Sequence, residues 1–286
     1  MFGISKKEQK KVKQLKTTNM SNNKTSGGFS FIVSALAIVI CVAIGIIVFK
    51  FLLGSEGNFD ADGPEKGHPK NFWGNMYKGG FIVPILLGVF FTVLTFFFER
   101  LITISKATGK GNVAAFVAKI KGLIANKDLD AAIAECDKQK GSLGNVVKEG
   151  LMKYQFVQND THLDKEAKVH AIQKALEEAT ALELPMLSKN MVIISTCASV
   201  GTLVGLIGTV VGMIRAFGAL AAAGTPDTAA LATGISEALV NTLVGILSSA
   251  LAIIFYNLFS NRVDQLTYAM DEAGFTIIQE FQTSGK

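Results

Sequence analysis

Glu237 is the only acid between Ala229 and Phe259, a run made almost wholly of apolar and small residues. A charged side chain at the centre of a bilayer costs about 2.5–3.5 kcal/mol on insertion scales. A carboxylate in such surroundings is pressed to take up a proton. An acid that changes protonation inside a membrane is a candidate proton-path residue. The blander readings are a permanently protonated acid in a packing interface, and an acid sitting close to the outer interface. Glu237 also belongs to a pattern: Gly234, Glu237, Asn241, Gly245, Ser248 and Ala252 follow at steps of three, four, four, three and four. That spacing puts them on one helix face. Thr242 lies five residues past Glu237, about 140° round the helix, and need not share its direction.

The preceding apolar block repeats the design. Ala198, Thr202, Gly205, Thr209, Gly212 and Ala216 form a small, polar stripe, opposite Leu203, Ile207, Val210 and Ile214. Gly201 with Gly205, and Gly208 with Gly212, are small-xxx-small pairs that allow close helix contact. Thr202, Gly205, Gly212, Asn241, Gly245 and Ser248 are therefore candidates either to line a pore or to pack helices. Arg215, toward the outer end of this block, has two readings. It can snorkel to the headgroups, or it can act as a gate or partner contact at an outer mouth.

Such residues need membrane-spanning elements to hold them. The 286 residues are 49% hydrophobic and 18% charged, where a soluble domain carries about 25% charged residues. The deficit is confined to blocks at 29–53, 80–104, 191–223 and 229–259, each long enough for a span of roughly 20 residues. The last two exceed that length, so they must tilt or project beyond the bilayer. The first is too long for a signal-peptide core and lacks a cleavage site, so it reads as an uncleaved span. The expected fold is an all-α polytopic membrane protein with four transmembrane helices and a cytoplasmic helical domain.

Charge gives the orientation. Residues 1–28 hold seven Lys and one Glu, and residues 105–189 hold thirteen Lys. Lysine-rich segments stay in the cytoplasm. The chain then divides into a basic cytoplasmic tail (1–28), an extra first span (29–53), a periplasmic loop (54–79) and a second span (80–104). A cytoplasmic helical domain (105–188), a third span (189–223), a periplasmic turn (224–228), a fourth span (229–259) and a cytoplasmic C-terminal tail (260–286) follow. Beside a membrane span, the basic tail reads as topology and contact with anionic lipid, not as a nucleic-acid arm.

The middle segment reads as helices with short breaks, and its charges as solvated faces. A long amphipathic stretch from Thr161 runs into the third span, with Pro185 placed to kink it. No phosphate loop, nucleophile elbow or catalytic carboxylate pair stands out, so an enzyme is not expected. Cys41, Cys136 and Cys197 do not make a disulfide framework. His68, His162 and His170 lack metal-ligand spacing, and neither a metal nor a cofactor is expected.

The stretches "LVGLIGTVVGMIRAF" and "GISEALVNTLVGILSSALAIIFYN" resemble the last two core spans of the MotA/TolQ/ExbB proton-channel family. "FFFERLITI" and "LDAAIAECDKQKGSLGNVVKEGL" are similar to the end of its first core span and to its cytoplasmic segment. The resemblance covers roughly 80–264 and favours the ExbB/TolQ branch. It implies a homopentamer whose last two helices ring a pore, and a dimer of an ExbD/TolR-like single-span protein inside it. Protons are the implied coupling ion, with Na+ left open, and a TonB- or TolA-like protein carries the energy outward. The family's pore residues map onto Thr209, Glu237 and Thr242, the threonines holding water or relaying protons. Leu251 and Thr202 stand where the family usually has proline. A flagellar or gliding stator subunit and a non-conducting membrane scaffold are the alternatives. The implied location is the bacterial inner membrane, with both termini cytoplasmic.

Overall fold

The computed structural model describes residues 32–60, 62–222 and 228–283. The basic tail 1–28, the first three residues of the expected first span, most of the turn 224–228 and the last three residues lie outside them. Among the described residues the chain is helical, apart from short connections and an isolated bridge between Phe59 and Pro69. Four helical stretches are long and apolar enough to cross a membrane. The chain divides into two compact units, one of residues up to 92 with 201–246, the other of 93–200 with 247 onward.

In the first unit, α1 (Ile32–Leu53) ends in a π-helical turn over Val48–Leu53. It meets α4 (Val83–Thr108) through glycines. A Cβ on Gly45 would come within 2.7 Å of the Pro84 carbonyl and 2.8 Å of the Gly88 nitrogen. Between them, residues 54–82, of which 54–79 are expected as a loop and 80–82 as the start of the second span, are folded. They hold a single turn α2 (Gly63–Lys66), a short helix α3 (Phe72–Lys78) and a 3-10 turn at Gly80–Ile82.

Two asparagines build this cap. The Asn58 amide donates to the Leu52 and Leu53 carbonyls at 2.8 and 3.0 Å, closing the end of α1. The Asn71 amide donates to Asn58 Oδ1 at 2.9 Å, while Asn71 Oδ1 accepts from the Gly74 amide as the N-cap of α3. Tyr77 stacks on Phe49 at 4.7 Å and meets the edge of Phe59 at 5.6 Å. Beneath lies an apolar core of Leu53, Met76, Ile82, Val83, Leu86, Leu87, Val240 and Val244.

The same unit contains parts of α9 (Met191–Ala222) and α10 (Thr228–Thr283). Their seam is lined by small residues. A Cβ on Gly245 would lie 2.7 Å from the Gly201 carbonyl and 2.8 Å from Gly205 Cα, and one on Gly212 would lie 2.9 Å from the Ala238 nitrogen. Gly234 faces Ala216 in the same way.

The second unit stacks α5 (Val113–Ala125), α6 (Leu129–Gln139), α7 (Gly141–Gln158) and α8 (Lys165–Ser188). Asn112, Asp128 and Asp164 cap α5, α6 and α8, each accepting a backbone N–H of the first turn. Lys119 bonds Glu135 at 2.7 Å across α5 and α6. Pro185 sits inside α8, whose helical run continues to Ser188. The stretch expected to run unbroken into the third span instead breaks at Lys189–Asn190, where Asn190 takes φ 60°. Asn tolerates this left-handed backbone better than most residues.

α10 also departs from expectation. Residues 260–283, read as a tail, continue the helix, which has 56 residues and a length of about 84 Å. The reason is a second amphipathic face: Val263, Leu266, Met270, Ala273, Ile277 and Phe281 are buried at helical spacing. Tyr154 of α7 packs edge-on against Phe281 at 4.8 Å.

Candidate functional site

α9 and α10 cross closely enough for residues far apart in sequence to meet. Arg215 Nη1 donates to Glu237 Oε1 at 2.6 Å. Glu237 lies nine residues, about 14 Å, from the start of α10. The Glu237 side chain is 8% exposed and that of Arg215 is 51% exposed. A buried acid is thus held by a cation that still has an open side. The Phe81 ring lies 5.5 Å from the Arg215 guanidinium carbon, a cation–π contact. Gly80, with φ +78°, presses its backbone onto the carboxylate so closely that a Cβ there would overlap Glu237 Oε1. Only glycine both fits this space and takes this backbone without strain.

One turn further along α10, Asn241 is fully buried, and neither its Oδ1 nor its Nδ2 has a hydrogen-bond partner. Gly208 packs directly on its side chain. Gly205, Gly212, Gly245 and Ser248 are buried, the three glycines in the seam between α9 and α10. Thr202 is exposed. The Thr209 hydroxyl donates to the Leu206 carbonyl at 2.6 Å, and Thr209 borders a shallow groove with Val210, Met213, Ile214 and Phe217. The half-buried Thr242 hydroxyl donates to the Ala238 carbonyl at 3.2 Å. The structure therefore brings Glu237 together with Arg215, Gly80 and Phe81, and leaves both threonines bonded to their own helices.

Sequence reasoning missed three of these features. Arg215 was read as a snorkelling or outer-mouth residue, and the structure adds its partner, 22 positions away across a hairpin. Gly80 carried no signal except its place at the start of an apolar block. Arg100, in the second unit, carries no signal in the sequence beyond its place near the end of an apolar block. It is 1% exposed and bonds Glu99 through two nitrogens, at 2.6 and 2.5 Å. Its Nη1 faces the Met186 and Leu187 carbonyls at 3.4 Å, at the C-terminal end of α8 where a cation meets the negative pole of the helix dipole. Among the described residues no three His, Cys, Asp or Glu side chains cluster as a metal site would require.

Residues 138–272, from the end of α6 to well along α10, match the MotA/TolQ/ExbB proton channel family. The chain is 29% identical over 137 residues to the Tol-Pal system protein TolQ of Pseudomonas aeruginosa, covering 48% of this chain and 58% of that one. It is 40% identical over 87 residues to the putative biopolymer transport protein ExbB-like 3 of Synechocystis, covering 30% and 41%. A third relative, the biopolymer transport protein ExbB of Pseudomonas putida, is 26% identical over 200 residues, covering 68% and 59%. The chain spans about half the length of the relatives it matches. Arg215, Glu237, Thr209 and Thr242 all fall within the matched segment, and over that segment the chain is similar to the MotA/TolQ/ExbB proton channel family, its relatives carrying the names of the ExbB/TolQ branch.

Proposed function

We propose that the chain is the channel-forming subunit of an inner-membrane machine driven by proton flow. Five copies surround a pore made from α9 and α10, and a dimer of an ExbD/TolR-like single-span protein stands inside it. Movement of that dimer transmits energy through a TonB- or TolA-like protein to the outer membrane or envelope. The lysine-rich segments 1–28 and 105–189 support a cytoplasmic side for the N-terminus and for α5 to α8, and an even number of spans then returns the C-terminus to the same side. The observation that carries this reading is the Arg215–Glu237 pair: a buried carboxylate within the matched segment, held by one partly exposed cation.

The chemistry follows from the charges. A proton arriving on Glu237 removes the negative charge that holds Arg215, and the guanidinium is released. Loss of the proton restores the pair. Each cycle thus converts a proton step into the movement of a cation on α9. The open side of Arg215 lets the pair exchange with groups outside the subunit. Thr209 and Thr242 each spend their proton on a backbone carbonyl, which leaves hydroxyl lone pairs to orient water along the route. The coupling ion in this reading is the proton, and the subunit needs the partner's acid to complete the path.

The test is Glu237→Gln, which keeps the shape and removes the titrating group. Energised outer-membrane uptake or envelope integrity should be lost while the single-span partner is still recovered in a pull-down. Normal energised function in this variant would remove Glu237 from the mechanism.

A further inference from the structure

Asn241 presents a problem that the Arg215–Glu237 pair does not solve. Its amide is completely enclosed, and both polar atoms lack partners. Buried amides rarely go unmatched, because an unmet donor or acceptor forfeits its hydration without return. Gly208 packs against its Cβ, Cγ and Nδ2, so the amide is held in place from the α9 side. Asn241 also lies four residues after Glu237. Side chains on a helix lean toward its N-terminus, and positions four apart lie one above the other. The Asn241 amide therefore leans toward the turn that carries Glu237. The longer Glu237 side chain is bonded only through Oε1, to Arg215; among the described residues Oε2 has no hydrogen bond.

We infer that Asn241 is the resting place of the protonated Glu237 side chain. The inference rests on the reading that Glu237 takes up a proton. A carboxylic acid offers one O–H donor and one carbonyl acceptor; a primary amide offers the complementary acceptor and donor. The two close a ring, with the acid O–H donating to Asn241 Oδ1 and Nδ2 donating to the acid carbonyl. Both orphaned atoms of Asn241 are then satisfied at once. An ionised carboxylate has no proton to donate and cannot satisfy Oδ1. The ionised side chain goes to Arg215 and the protonated one folds back to Asn241. Glu237 thus has two positions, one for each protonation state, and the proton enters and leaves on the carboxyl oxygen. Asn241 positions the acid and does not itself change protonation.

The experiment is infrared difference spectroscopy of the assembled complex with its single-span partner in lipid vesicles, stepped between acidic and alkaline buffer. The protonated-carboxyl band that Glu237→Gln removes belongs to Glu237. In Asn241→Ala that band should move to higher wavenumber, because the acid carbonyl loses its donor. Energised flux should fall about five-fold, the value of one hydrogen bond of ordinary strength, with the oligomer still recovered. Asn241→Ser fills more of the space and carries the same test if the alanine variant does not assemble. A Glu237 band at an unchanged position in the variant that assembles overturns the role of Asn241 alone. The absence of any Glu237-dependent band in the unmutated protein overturns this inference together with the proton-uptake reading beneath it.

Discussion

Cys136 shows how far burial reshapes a single group. It is 2% exposed on α6, and burial, with the neighbouring charge of Asp137 adding to it, pushes its thiol up to about 12 from the usual 9.0. At pH 8 that leaves about a thousandfold less thiolate than an ordinary cysteine carries. Alkylation by a maleimide at pH 8 should be correspondingly slow in the folded protein and fast after denaturation; rapid labelling of the native chain would contradict the packing. The sign for stability follows. Below pH 9 both folded and unfolded chains keep the proton, and the contribution is constant. Above pH 9 the unfolded chain loses it first, so stability declines as the pH rises toward 12. None of this was legible in the sequence, where Cys136 was only a thiol in a hydrophilic segment. Glu237 was legible because one acid among thirty apolar and small neighbours stands out whatever the fold. Its pairing with Arg215 was not, since the two lie on different helices and only tertiary packing decides which charges meet. Asn241 was visible as a member of a stripe, but an unmatched amide exists only once the surrounding atoms are placed.

At the scale of the helix, periodicity carried the cores of the elements and failed at their ends. The apolar blocks located α1, α4, α9 and the first half of α10. The second half of α10 was read as a tail because its buried face, from Val263 to Phe281, is interleaved with charge and no longer resembles a span. The break between α8 and α9 has no proline or glycine to mark it; Asn190, with its left-handed backbone, interrupts the helix, and Pro185 upstream does not. The cap at 54–82 depends on Asn58 and Asn71, and a turn-rich composition does not reveal which amide closes which carbonyl. Close approach of α9 and α10 yields a clear prediction. In Gly245→Leu the new Cβ would meet backbone, the Gly201 carbonyl and Gly205 Cα, at 2.7 and 2.8 Å. Backbone cannot swing aside as a side chain can. The variant should be recovered in much lower amount and lose its fold at lower temperature, with a cost of about 1–3 kcal/mol or more from overpacking. Gly218, also on α9, has open space where a Cβ would go. Gly218→Ala should therefore melt unchanged or slightly higher, by about 0.5–1 kcal/mol. A gain in both variants would show that helix propensity, not contact, governs these glycines.

Across the whole molecule the strongest regularity is the placement of charge relative to apolar helices. Thirteen lysines fall within residues 105–189 and seven within 1–28, while 54–79 carries four acids against three lysines. Lysine retention on the cytoplasmic side sets the direction of a polytopic chain. On the proposed orientation, the cap at 54–82, with Gly80, Phe81 and the adjoining Arg215–Glu237 pair, faces the periplasmic side. The same orientation puts α5 to α8 and the end of α10 on the cytoplasmic side. In the proposed mechanism the orientation determines which compartment loads a proton onto Glu237 past the open side of Arg215. Two exposed positions test it, Ser55 beside the cap and Thr161 in the turn before α8. With Cys41, Cys136 and Cys197 replaced by serine, an impermeant maleimide should label Ser55→Cys in cells whose outer membrane alone has been opened. Thr161→Cys should label only after the inner membrane is breached. The opposite pattern would invert the chain, put Glu237 near the cytoplasm, and make Glu237 the end of an inward proton path instead of its start.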